Sequence, residues 1–135
     1  MKLRRSCAKT VTDKVVDASA IVALLFDEPS QSAVVRRLSG AALFAPALLE
    51  FEVGSACLKK IRARPAERDA LIEACSLFRR LWIALCEIDI ADAIVLAERT
   101  RLSLYDACYL WLSRALRAEL VTLDLQLAKA EAATR

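Results

Sequence analysis

Short, unbroken apolar runs, each followed by a helix-forming stretch, constrain this chain more than any other feature. Lys14-Val15-Val16-Asp17 is a β-branched run closed by a polar residue. Ala42 to Ala45, Leu85 to Ile88 and Leu120 to Thr122 are further short runs of strand-forming character. They are continuous runs, not the alternation of a strand with one wet face. Such strands, separated by helices, signal a parallel sheet covered on both sides. The expected fold class is therefore α/β, with a central parallel sheet flanked by helices.

Breakers and caps divide the rest. Ala18 to Phe26 reads as an apolar helix stopped by Asp27-Glu28-Pro29. Pro29 suits the first turn of a second helix, which runs to about Ser39 and stops at Gly40. Pro46 opens a long helix to about Arg62, and Pro65 opens another to about Leu81. Asp89 to Arg101 is helical, Ser103 caps a helix to about Ala118, and Leu125 to Ala133 forms the last helix. Residues 1–13 read as a loose tail and residues 14–135 as a single domain.

The composition agrees and excludes several chemistries. The 135 residues are 57% hydrophobic with only 2 Gly, enough apolar matter for one full core. Twenty Lys+Arg against 17 Asp+Glu give +3, which permits a nucleic-acid partner without arguing for one. There is no histidine. That removes Ser-His and Cys-His catalysis, histidine metal sites and a histidine base. Cys7, Cys57, Cys75, Cys86 and Cys108 are odd in number and include no CxxC unit. They read as small core residues of a reduced protein, not as a disulfide frame or a zinc site. No segment approaches the roughly 18 apolar residues of a membrane span. Met1 to Lys14 is basic but lacks the apolar stretch of a secretory signal. A cytoplasmic protein is expected.

What remains for chemistry is carboxylate. Asp17 and Asp124 each come directly after a strand, and in a parallel sheet those ends share one edge, where ligands bind. Helices start at the same edge, which brings Asp106 near it. Glu52 comes from the second turn of the helix after the second strand. Clustered carboxylates repel unless a cation neutralises them. Hard oxygen ligands suit Mg²⁺ or Mn²⁺, and a pair of such ions serves phosphodiester cleavage.

Plainer readings stand beside this one. Asp17 and Asp124 also suit helix N-caps. Ser103-Leu104-Tyr105-Asp106 resembles a capping box with Asp in place of Glu. Glu52 has Leu48, Leu49 and Ala56 as helical neighbours, although Ser55 and Lys59 leave a solvated face open. Asp27, Glu28, Asp89 and Asp92 look like turn and first-turn acids. Glu50 points about 160° from Glu52 and reads as structural. Lys59, Lys60, Arg62, Arg64 and Arg68 form either a solvated helix end or a phosphate-contacting patch. Tyr105, Tyr109 and Trp111 read as core or interface packing.

Four segments also resemble a known family. Val15-Val16-Asp17-Ala18-Ser19-Ala20 is similar to the opening of PIN-domain ribonucleases, in particular the VapC-type toxins of toxin–antitoxin pairs. Pro46-Ala47-Leu48-Leu49-Glu50-Phe51-Glu52-Val53 resembles their second motif, with the functional glutamate at Glu52. Tyr105-Asp106-Ala107-Cys108-Tyr109 resembles the third, and Leu120-Val121-Thr122-Leu123-Asp124 the fourth. The resemblance covers roughly residues 14–132, in order.

It implies a three-layer PIN-like fold with a sheet of four to five strands, and Mg²⁺ or Mn²⁺ held by Asp17, Glu52, Asp106 and Asp124. It implies endonucleolytic RNA cleavage leaving a 5′-phosphate, a homodimer and inhibition by a cognate antitoxin. Ser19 and Thr122 would support the site through their hydroxyls. The chain departs from the family in three places. Ser55 stands where Asn is often found, no convincing last strand comes after the final helix, and the N-terminus is longer than usual. A non-catalytic PIN-like binding or scaffold module is the alternative. A receiver-type phosphoacceptor domain fits less well, because Asp17 stands without the second acid that chemistry needs.

Overall fold

Val15 and Val16 are fully buried, and they sit at the centre of the molecule. They end β1 (Thr12–Val16), which pairs in parallel with β2 (Ala41–Pro46) on one side and β4 (Glu119–Val121) on the other. β3 (Ala84–Cys86) adds in parallel to β2, giving the order β3-β2-β1-β4. The computed structural model describes residues 11–134. Among them the sheet has four parallel strands, the lower number expected from the sequence, and seven α-helices flank it in a three-layer α/β fold.

The helices are α1 (Ala18–Leu25), α2 (Gln31–Leu38), α3 (Leu48–Ala63), α4 (Arg68–Ser76), α5 (Ile90–Thr100), α6 (Leu104–Leu116) and α7 (Leu125–Thr134). α6 packs on β1 and β2 and carries α5 and α7, while α1 packs with α2 and α3. The core joins Val15, Val16, Ile21, Leu49, Val53, Tyr109, Leu110, Val121 and Leu127, all at most 1% exposed. α6 buries six of its 13 residues. This is why its sequence is nearly apolar from Ala107 to Leu112.

Several boundaries differ from those expected, each for a local reason. β1 starts at Thr12, so Thr12 and Asp13 pair with Ala41 and Ala42 instead of belonging to the tail expected over 1–13. The rest of that tail, with Cys7, lies outside the described residues apart from Val11. Pro46 ends β2 opposite Cys86 instead of opening a helix. The stretch 65–81 is not one helix. A 3₁₀ turn at Pro65–Glu67 precedes α4, and another at Leu77–Leu81 comes after it. Gly40 closes α2 at φ 76, a conformation glycine adopts freely. Trp82, Arg101 and Arg117 turn left-handed at φ 55, 62 and 52 without glycine. The last of these ends α6 before the expected Ala118.

Candidate active site

The site begins with strand register. Val16 lies opposite Val121, and the Asp17 amide donates to the Val121 carbonyl at 3.3 Å. Asp17 and Thr122 therefore leave the sheet side by side. Thr122 Oγ1 donates to Asp17 Oδ2 at 2.5 Å, and Ser19 Oγ donates to Asp17 Oδ1 at 2.7 Å. The same Oδ1 accepts the Ala20 amide at 3.1 Å, which makes Asp17 the N-cap of α1. Both hydroxyls are used twice. Ser19 Oγ accepts from the Leu123 amide at 2.8 Å, and Thr122 Oγ1 from the Asp124 amide at 2.9 Å. The supporting pair expected from the sequence thus ties the acid after β1 to the loop after β4.

Asp124 caps the last helix through Oδ1, which accepts the Leu127 amide at 3.0 Å. Asp106 stands in the first turn of α6, where its amide donates to Ser103 Oγ at 3.1 Å. Glu52 stands in the second turn of α3, and Tyr109 of α6 donates to its Oε1 at 2.6 Å. For Asp17 and Asp124, capping and a place at the rim are therefore not alternatives. Asp17 and Asp124 cap helices and share the rim, because a cap engages only part of a carboxylate.

The acids lie close enough for their charges to reach one another. Burial raises the Asp17 carboxyl above its ordinary range, hydrogen bonds from Thr122, Ser19 and Ala20 oppose the rise, and Asp124 adds to it. Glu52 is raised by burial, opposed by the Tyr109 hydrogen bond, and raised further by Asp106 and Asp17. Asp106 is raised by burial and then by Asp124 and Asp17, with the Ser103 hydroxyl opposing. None of the ion pairs among the described residues includes any of the four. Nor do three of these side chains converge there in a ready-made ligating geometry. The acids expected from the sequence share the rim, but not as a converged ligand set.

Several of the other acids and bases pair with one another or cap helices. Glu50 pairs with Arg79 at 3.6 Å, away from the rim. Lys60 pairs with Glu28 at 2.6 Å and lies 5.4 Å from the centre of the Phe26 ring. Arg64 pairs with Glu67 and Arg68 with Asp69. Asp89 caps α5. Cys57, Cys75, Cys86 and Cys108 are free thiols, the first and last buried. One site neighbour is missed by sequence reasoning. Helical spacing assigns Tyr109 to packing, yet its phenol enters the site. The signal for it is its place one turn after Asp106, on the same helix face.

A parallel α/β sheet whose carboxyl edge gathers acids from four separate segments defines a class: proteins with a carboxylate site at the sheet rim. The PIN domain family model matches residues 14–133, almost the whole described chain. The chain belongs to the PIN domain family, as a member of the VapC type. It is 32% identical over 123 residues to "Ribonuclease VapC3" of Pyrobaculum aerophilum, covering 85% of this chain and 92% of that protein. The crystal structure of PAE2754, also from Pyrobaculum aerophilum, shares the fold with a TM-score of 0.72 at 22% identity, over 88% of this chain and 84% of that one.

Proposed function

We propose that this protein is a Mg²⁺- or Mn²⁺-dependent endoribonuclease and the toxin of a toxin–antitoxin pair. The observation that carries the reading is the rim itself: mutually repelling acids with no cationic partner among the described residues. The VapC3 likeness supports RNA as the substrate. The donor set also fits the ion. It is all hard oxygen, with no histidine in the chain, which suits Mg²⁺ or Mn²⁺ over softer metals.

Asp17, Glu52, Asp106 and Asp124 are the residues that would hold the cation. When bound, it supplies Lewis acidity, making an attacking water more acidic and offsetting charge on the scissile phosphate. The protein contributes position. Ser19, Thr122 and the Ala20 amide fix Asp17 from three directions, so it does not swing as charge changes. Asp124 is exposed. Phe51, Tyr105 and Leu125 stand next in sequence to Glu52, Asp106 and Asp124 and are 79%, 61% and 81% exposed. They offer apolar surface beside the acids. In the reaction water adds to phosphorus and the bond to the 3′ oxygen breaks, leaving a 5′-phosphate and a 3′-hydroxyl.

The reading includes a cytoplasmic homodimer held in check by a cognate antitoxin. No described helix is long and apolar enough to cross a membrane. An acidic pocket suits a basic side chain, so the antitoxin inserts an Arg or Lys among the four acids. A co-structure in which a neutralising partner leaves these acids untouched contradicts that part. The test of the activity is cleavage of labelled RNA by wild type and Asp17→Asn with Mg²⁺, Mn²⁺ or chelator. Cleavage by wild type with metal alone supports the reading. Equal cleavage by Asp17→Asn, or cleavage undiminished by chelator, overturns it.

A further inference from the structure

Tyr109 is 1% exposed and belongs to the main core, where its ring fills space as any buried aromatic does. Its hydroxyl does something a core ring does not require. It crosses from α6 to α3, between residues 57 positions apart, and donates to Glu52 Oε1 at 2.6 Å. A buried phenol must find an acceptor, and a backbone carbonyl would serve. Here the acceptor is a half-buried carboxylate of the acid cluster. An O–H···O⁻ bond of this length is charge-assisted and stronger than a neutral one.

The bond answers a specific difficulty. Glu52 has a longer, more flexible side chain than the aspartates, and it projects from a helix turn instead of a strand end. Asp17 is held by Ser19, Thr122 and an amide. The Glu52 carboxylate takes its hydrogen bond from Tyr109, at one oxygen. Tyr109 and Asp106 share a face of α6, so the helix that carries one rim acid also orients a second.

We infer that Tyr109 is a positioning residue for the cation site: by holding the Glu52 carboxylate through Oε1 it fixes the group, whose other oxygen would be the one to serve a bound cation. The inference rests on the proposal that the four acids bind a divalent cation. The rigid ring, anchored in the core, transmits the fixed geometry of α6 to an acid on α3.

The test is Mn²⁺ titration calorimetry on the full chain after chelation, for wild type, Tyr109→Phe, Glu52→Gln and the double variant. It is run at a temperature where circular dichroism shows all four folded. Loss of a group that orients a metal ligand weakens metal binding by about 10–100-fold. Tyr109→Phe is expected to raise the Mn²⁺ dissociation constant by about that factor. In the Glu52→Gln background the same change is expected to add nothing, since the two residues act as one unit. Wild-type Mn²⁺ affinity in Tyr109→Phe, whatever its melting temperature, overturns the inference and leaves the cation site standing. So does an additive loss in the double variant. If wild type itself binds no Mn²⁺, the cation-site reading fails, and the inference with it.

Discussion

The two ends of the β1–β4 pair treat negative charge in opposite ways. At the start of β4, Glu119 lies opposite Lys14 in register. It bonds Arg37 at 2.8 Å and has the Lys14 ammonium at 3.4 Å. The Arg37 hydrogen bond, helped by Lys14, holds its carboxyl below the usual range despite partial burial. Three residues further along β1, roughly 10 Å away, stands Asp17, with Glu52, Asp106 and Asp124 around it. There burial and mutual repulsion push Asp17, Glu52 and Asp106 up. The chain has 20 Lys+Arg, so cations are not scarce. Glu119, at the start of β4, receives two. The rim acids have none among the described residues, as the proposed cation site requires.

The largest contrast should appear in catalysis. Asp17→Asn is expected to reduce metal-dependent RNA cleavage by about 100-fold or more, at least the loss seen when a residue supporting a metal ligand is removed. Glu119→Gln, at the other end of the same strands, should leave the rate within about twofold. Initial rates at saturating Mg²⁺ measure both. Equal losses would erase the distinction between the two ends.

A second contrast lies in the pH dependence of stability without metal. Asp17, Glu52 and Asp106 have folded pKa values raised above the unfolded ones, so the folded state binds more protons in the interval between. Stability from these groups therefore falls as pH rises from about 4 through the raised values. Glu119 has the opposite sign. Its contribution is present above the unfolded value of about 4.3 and is lost as pH falls through the lowered one. Urea unfolding in chelator across this range should show the rim slope, and Asp106→Asn should flatten it. An unchanged slope would place the repulsion elsewhere.

The smallest effect is the stability contribution of the Glu119 pairs. Glu119 is nearly half exposed, so Glu119→Gln is expected to cost about 0.5 kcal/mol at low salt, the scale of a surface ion pair. Chemical denaturation in about 1 M salt, where such pairs are screened, should reduce the difference toward zero.

Much of this was legible in the sequence, for physical reasons. Val15-Val16-Asp17 and Leu120-Val121-Thr122 announce buried strands because continuous apolar runs have no wet face, and parallel pairing brings the residues at their carboxyl ends together. The acids were legible from their positions after strands and in early helix turns. The hidden features depend on partners far away in sequence. The Tyr109–Glu52 bond spans 57 positions, and helical spacing alone shows only a ring on an apolar face. The end of α6 was placed slightly late because Arg117 adopts the left-handed turn without the glycine that advertises it. Pro46 misled because proline suits a helix start, yet here it finishes a strand lying between two others. The acids converge less tightly than their motifs suggest, since motif order gives proximity and not ligand geometry.

The central claim is that the rim acids are one repelling cluster completed by a cation, and Asp106 decides it. As a mere cap residue, Asp106→Asn would lower metal-free stability by about 0.5–1 kcal/mol through lost charge at a helix start, and leave the metal response intact. As a cluster member, its neutralisation removes repulsion. Thermal melts of wild type and Asp106→Asn, each with chelator and with Mn²⁺, separate the two. Cluster membership requires the variant to match or exceed wild type in chelator and to gain less from Mn²⁺. A variant that is less stable in chelator and fully stabilised by Mn²⁺ would contradict it.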